Sequence, residues 1–165
     1  MPSAVVRNAA RAAVSGMARV APTPLPAEVA AVMALTNQDR LANGCPALAP
    51  NPILMGTAQA HSADMALHHF FAHLSSTGLT PAQRILAAGY QWAAVAENIA
   101  AGYPTAQSVV DTWFNETPPN DPHRANMLNC QLHDVGVGYY YLAVDANSVA
   151  YHEYWTEDFG TLASS

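Results

Sequence analysis

The 165 residues, 17.5 kDa in mass, suffice for one domain with its own hydrophobic core and are too few for two. Hydrophobic residues make up 51% and charged residues only 11%, which excludes intrinsic disorder of the main body. The net charge is -6, and a body this acidic lacks the clustered cations that a phosphate backbone demands, which excludes nucleic acid as a partner.

All six basic residues are Arg, and Arg7, Arg11 and Arg19 lie in an acid-free stretch ahead of Glu28. Residues 1–27 are Ala-rich and end in Pro22, Pro24 and Pro26, which reads as a tail and linker preceding a domain over 28–165. The tail has the Arg content of a targeting segment but lacks the uninterrupted apolar core of a secretory signal peptide.

From about Glu28 a helical stripe of Ala30, Met33, Ala34, Asn37 and Leu41 runs to a stop at Gly44, with Asn37 its one polar member. A second helix is expected from Pro52 to about His73, with Leu54, Ala58, Met65 and Ala72 on one face beside His61 and His68. Thr80 and Pro81 read as a cap and first turn, and Gly89 closes that short helix. A fourth helix covers roughly Thr105 to Glu116, with Ala106, Val109, Val110 and Trp113 inward and the Glu116 carboxylate near the apolar face.

After Pro118, Pro119 and Pro122 a short turn of helix carries His123, Arg124, Met127 and Leu128. Val135 to Val144 and Val149 to about Phe159 read as two strands joined at Asp145-Ala146-Asn147-Ser148. Both alternating sets of the first strand are largely apolar, so it is covered on both faces. The ten residues Val135 to Val144 are too short an apolar run to cross a bilayer as a helix, and no membrane span is expected. Helices first and an antiparallel hairpin last predict an α+β fold with helices on both sides of a sheet.

Seven histidines are the chemical anomaly. His69 and His73 stand four apart on the expected helix, a spacing that can offer two imidazoles to a metal, but Phe70 occupies the place where a zincin carries Glu. His61 and His68 read as core histidines, and His133 and His152 as surface or strand residues. Glu97 and Glu116 are acids in apolar surroundings, where a carboxylate needs a cation, a metal or hydrogen-bond donors. His73 and His123 are the imidazoles that can serve them, although spacing alone does not bring the four together. Cys45 and Cys130 form no CxxC motif, and either free buried thiols or one disulfide fits them. No GxSxG elbow and no phosphate loop is present, and Gly136-Val137-Gly138 enters a run of tyrosines rather than a helix.

The segments HSADMALHHFFAH (61–73), AENIAAGY (96–103), HRANMLN (123–129), VGVGYY (135–140) and EYWTEDFG (153–160) follow in an order that resembles the CAP superfamily. That superfamily unites cysteine-rich secretory proteins, antigen 5 and pathogenesis-related 1 proteins, and the likeness is to its bacterial SCP-like secreted branch, over residues 29–161. The resemblance implies a three-layer α-β-α sandwich with a central antiparallel sheet and a cleft holding two His and two Glu. Residue by residue, it assigns the tetrad to His73, Glu97, Glu116 and His123, and the PPND insertion at 118–121 departs from the compact SPGHR form common in bacteria, where a Ser often replaces the Glu matched here by Glu116. It also implies a Cys45–Cys130 disulfide and secretion to the extracellular space. A divalent metal, Zn2+ first, is the expected occupant of the tetrad, and a hydrogen-bonded core network of the four residues without metal is the alternative. The expected role is an extracellular binding module for a sterol, a fatty acid or a protein partner; a metal-dependent hydrolase of peptide or cell-wall substrates is the alternative.

Overall fold

The computed structural model of the chain describes residues 26–164, so the expected tail lies almost wholly outside the described residues. Its elements are α1 (Ala27–Ala42), β1 (Ala49–Pro50), α2 (Pro52–Leu67), α3 (Pro81–Ala87), β2 (Trp92–Ala101), α4 (Ala106–Phe114), α5 (Pro122–Met127), β3 (Asp134–Tyr141) and β4 (Glu153–Leu162). The sheet order is β1-β3-β4-β2. Strands β2, β4 and β3 are antiparallel, and β1 adds a two-residue parallel bridge to β3. Helices α2 and α3 cover one face and α1, α4 and α5 the other, which makes the α-β-α sandwich.

Strand β3 alternates by face as its sequence requires. Val135 and Val137 join Val32, Val109, Trp155 and Phe159 in the core under α1 and α4. Gly136 and Gly138 face α2, and a Cβ at either would lie 2.1 Å from the Leu54 backbone or 2.3 Å from the Ala58 backbone. The VGVG motif is therefore a seat for a helix backbone, which no larger residue permits.

Helix α1 is displaced in phase from the stripe read in the sequence. Its buried residues are Val29, Val32, Met33, Thr36 and Arg40, whereas Ala30, Ala34 and Leu41 face solvent. The reason is that two polar residues on the inner face have partners. Thr36 Oγ1 donates to Glu157 on β4 at 2.8 Å. Arg40 donates to the carbonyls of Pro46, Met127, Asn129 and Leu132 at 2.7 to 3.0 Å, tying the end of α5 and three loop positions to one guanidinium. Asn37 clasps the Leu48 main chain through both its amide groups. Cys45 and Cys130 are disulfide-bonded with their Cα atoms 4.9 Å apart, which excludes the free-thiol alternative and fastens the end of α1 to the segment after α5.

Helix α2 stops at Leu67, six residues short of the expected end. His69 takes the left-handed conformation, with φ of 57°, and the Phe70 N–H bonds to the Met65 carbonyl, closing the helix as a Schellman motif does. His69 and His73 are consequently not one turn apart on a helix. The connection between β3 and β4 runs over residues 142–152, longer than the expected tetrapeptide. Asp145 organises it by accepting from the backbone N–H groups of Asn147, Tyr151 and His152 and from the Tyr154 hydroxyl. Strand β2 was not legible as a strand, because its alanines are poor strand formers and its placement depends on pairing with β4.

Two outcomes follow from this packing. Gly136→Ala loses about 3 kcal/mol of stability, read as a lower denaturation midpoint in urea, because α2 must lift from the sheet. Glu157 is fully buried, and burial pushes its carboxyl up to about 8 from an ordinary 4.5, against the pull of Thr36 and Arg40. The native state then keeps a proton that the unfolded chain releases, so this group's contribution is complete below pH 4.5 and is lost as pH rises through 8. Glu157→Gln gains stability relative to wild type over that window, by at most about 1.4 kcal/mol per pH unit, as measured by denaturation at a series of pH values.

Candidate functional site

Glu97 lies on β2, on the sheet face covered by α2, and its side chain is only 1% exposed. A carboxylate so buried must be neutralised, and two elements supply the partners. His73, in the loop after α2, meets Glu97 Oε1 through Nδ1 at 2.7 Å. Arg84 of α3 pairs with Oε2, while its Nη1 donates to the carbonyls of His73 at 2.7 Å and Leu79 at 3.2 Å. The guanidinium thus holds both members of the His73–Glu97 pair. Across the strand, Glu97 faces Asp158 of β4, which accepts from Thr57 Oγ1 at 2.7 Å. Burial and the Glu97 charge push the Asp158 carboxyl well above the usual carboxylate range.

Glu116 follows α4, which ends at Phe114, so it sits in the loop rather than on the helix predicted to reach it. Its carboxylate closes the proline-rich loop onto α5, accepting from the His123 backbone N–H at 2.9 Å and meeting His123 Nδ1 at 2.6 Å. The four predicted residues therefore form two His–Glu pairs, one based on the α2 side of β2 and one on α4 and α5. Both imidazoles are held at Nδ1, and no hydrogen bond among the described residues engages either Nε2. His73 keeps 52% of its side chain exposed.

Between the pairs runs the open edge of β2, since that strand is bonded only to β4. Two of its outward carbonyls are satisfied by side chains instead of a further strand. Asn126 Nδ2 donates to Glu97 O at 3.2 Å and Trp113 Nε1 to Ile99 O at 3.2 Å. Asn98 completes the junction by donating to the His123 carbonyl at 3.2 Å and accepting from Asn126 at 2.9 Å. A cavity of about 300 Å3 lies along this edge, walled by Phe71, Ile99, Tyr103, Trp113, Glu116 and His123. Among the described residues no three His, Cys, Asp or Glu side chains converge as a metal-chelating group.

The other histidines fall outside this arrangement. His61 is buried, with Nε2 on the Ala72 carbonyl at 2.9 Å, and burial pushes its pKa down. His68 is exposed and bonds Asp64, His133 is exposed, and His152 bonds the Leu142 carbonyl. Sequence reasoning missed Arg84, Asn98, Asn126 and Asp158. Arg84 had a signal, as one of only three cations in the acidic body. The two asparagines stood inside segments already singled out, but nothing local shows that they pair.

Residues 33–159 match the family described as CAP, the cysteine-rich secretory protein family. The Bacillus subtilis (strain 168) protein YkwD, itself uncharacterized, is 33% identical over 139 residues, covering 84% of this chain and 49% of that one. An extracellular protein containing an SCP domain from Bacillus anthracis superposes with a TM-score of 0.68 at 26% identity, over 84% of this chain and 44% of that one. An outer surface protein of Borrelia burgdorferi shares the fold, with a TM-score of 0.66 at 18% identity over 80% of this chain and 90% of that one. The chain thus spans about half the length of the two Bacillus proteins. Among the described residues no helix is long and apolar enough to cross a membrane. With its five ordered motifs, its sandwich and its two His–Glu pairs, the chain belongs to the cysteine-rich secretory protein (CAP) family.

Proposed function

We propose that the domain acts outside the cell as a binding module whose two His–Glu pairs take a divalent metal, zinc first. The observation that carries this reading is that each imidazole is anchored by a carboxylate at Nδ1 and keeps Nε2 free. A carboxylate in that position fixes the tautomer and orientation of a metal-ligating histidine. His73 and His123 are the ligands in this reading, and Glu97 and Glu116 orient them. Arg84 compensates the Glu97 charge and holds the His73 backbone beside it. A bound divalent ion would supply a Lewis-acidic centre with open positions.

The cavity along β2 is the binding surface that goes with this centre. Its aromatic and aliphatic walls suit the apolar part of a sterol or fatty acid, or a side chain of an extracellular protein partner, placed beside Glu116 and His123. Extracellular placement is supported by the Bacillus anthracis SCP-domain protein, which is described as extracellular, and by the disulfide, which persists in oxidising compartments.

Calorimetric titration with zinc tests the reading. The expected result is one saturable site, lost in His73→Ala and in His123→Ala proteins that remain folded, and weakened at acidic pH because metal ligands must be deprotonated. Failure of the folded wild type to bind zinc overturns the metal assignment.

A further inference from the structure

The two imidazoles are held at the same ring nitrogen, but their main chains are held differently. Glu116 grips His123 twice, accepting from its backbone N–H at Oε2 and meeting its ring at Oε1, so one carboxylate fixes both chain and imidazole. Among the described residues no Arg forms an ion pair with Glu116. Glu97 meets His73 only at the ring. Its other oxygen is taken by Arg84, whose Nη1 donates to the His73 carbonyl at 2.7 Å. The guanidinium thus supplies for His73 the main-chain contact that the carboxylate itself supplies for His123.

That contact matters because His73 lies between α2 and α3 in neither helix nor strand, with half of its side chain exposed. Its segment is pinned on either side, by His61 Nε2 on the Ala72 carbonyl at 2.9 Å and by the Ser76 N–H on Asp64 at 2.8 Å. Neither tie involves residue 73 itself. A half-exposed imidazole on an irregular segment can turn between rotamers and change the nitrogen it offers to a carboxylate. Arg84, by contrast, is delivered by a seated element. Thr80 and Gln83 form a capping box with Pro81 in the first turn, which fixes where α3 starts. Ile85 is fully buried, and Trp92 Nε1 donates to the Ala82 carbonyl at 3.2 Å, so α3 is tied to the strand that carries Glu97. From there the guanidinium spans three acceptors, Glu97 and the carbonyls of His73 and Leu79, in directions set by its planar fork.

We infer that Arg84 is the positioning residue of His73: by holding the His73 main chain and the Glu97 carboxylate in one fork it keeps the imidazole with its proton on Nδ1 and its Nε2 bare, and it does so for His73 alone. The inference deepens the reading of His73 as a metal ligand and rests on it for its purpose, but its geometry can be tested without a metal. A Lys at this position is a point charge on a flexible stem. Arg84→Lys therefore keeps a cation beside the buried Glu97 and gives up the simultaneous hold on the His73 carbonyl.

Long-range proton–nitrogen correlation spectra of 15N-labelled Arg84→Lys protein at neutral pH test the inference, with His123 as the internal reference. The expected result is that His73 passes from a single Nδ1–H tautomer to a mixture while His123 keeps its single tautomer, and that zinc affinity measured by calorimetry falls about tenfold, the usual cost of losing a group that orients a ligand. In the wild-type protein the fork predicts separate, slowly exchanging 15N resonances for Arg84 Nη1 and Nη2, a readout that needs no variant. The two readings fail separately. Wild-type protein that binds no zinc sinks the metal assignment and leaves the tautomers to be read. A single Nδ1–H tautomer for His73 in folded Arg84→Lys protein, loss of the His123 tautomer alongside that of His73, or one averaged Arg84 Nη resonance in the wild type overturns the role of Arg84.

Discussion

The arrangement depends on one buried acid on an edge strand. Glu97 is almost wholly removed from water, and an isolated carboxylate in that position is prohibitively unfavourable unless a cation reaches it. Arg84 is that cation, and placing it requires α3 to lie against β2 and the loop after α2 to turn back so that the His73 carbonyl can accept. The Schellman stop at His69 is what lets the loop turn. Placement of His73 at the site is thus a consequence of neutralising Glu97, and the chemistry available there is inherited from a folding constraint.

Closing the other side of β2 solves a different problem. An edge strand leaves unpaired carbonyls that would otherwise recruit a foreign strand. Here Trp113 and Asn126 take two of those carbonyls, those of Ile99 and Glu97, and in doing so they dock α4 and α5 where the Glu116–His123 pair forms. The disulfide and the Arg40 bonds to the Met127, Asn129 and Leu132 carbonyls hold the end of α5 and the segment after it. Both His–Glu pairs therefore rest on rigid neighbours, although each histidine is carried by a loop or a short helix.

Much of this was legible in the sequence, for identifiable reasons. Helix α3 announces itself through its Thr80-Pro81 start, α4 through the spacing of Ala106, Val109, Val110 and Trp113, and β3 as a run that is apolar on both alternating sets. The four site residues were named because two acids sat in apolar company and five ordered motifs resembled one family. What escaped was whatever depends on partners distant in sequence. The phase of α1 follows from Thr36 and Arg40, which are polar yet buried because Glu157 and four carbonyls await them. The end of α2 was overestimated because a histidine in the left-handed conformation leaves no periodicity signal. Strand β2 and the roles of Arg84, Asn98 and Asn126 arise only when the sheet has formed.

The central claim is that the carboxylates of Glu97 and Glu116 each fix an imidazole with its proton on Nδ1 and its Nε2 bare. Long-range proton–nitrogen correlation NMR of the 15N-labelled protein at neutral pH measures this directly, because the two ring nitrogens of a neutral histidine resonate far apart when one tautomer prevails. The account predicts a single Nδ1–H tautomer for both His73 and His123. Averaged tautomers at either residue, or the Nε2–H form, would contradict it.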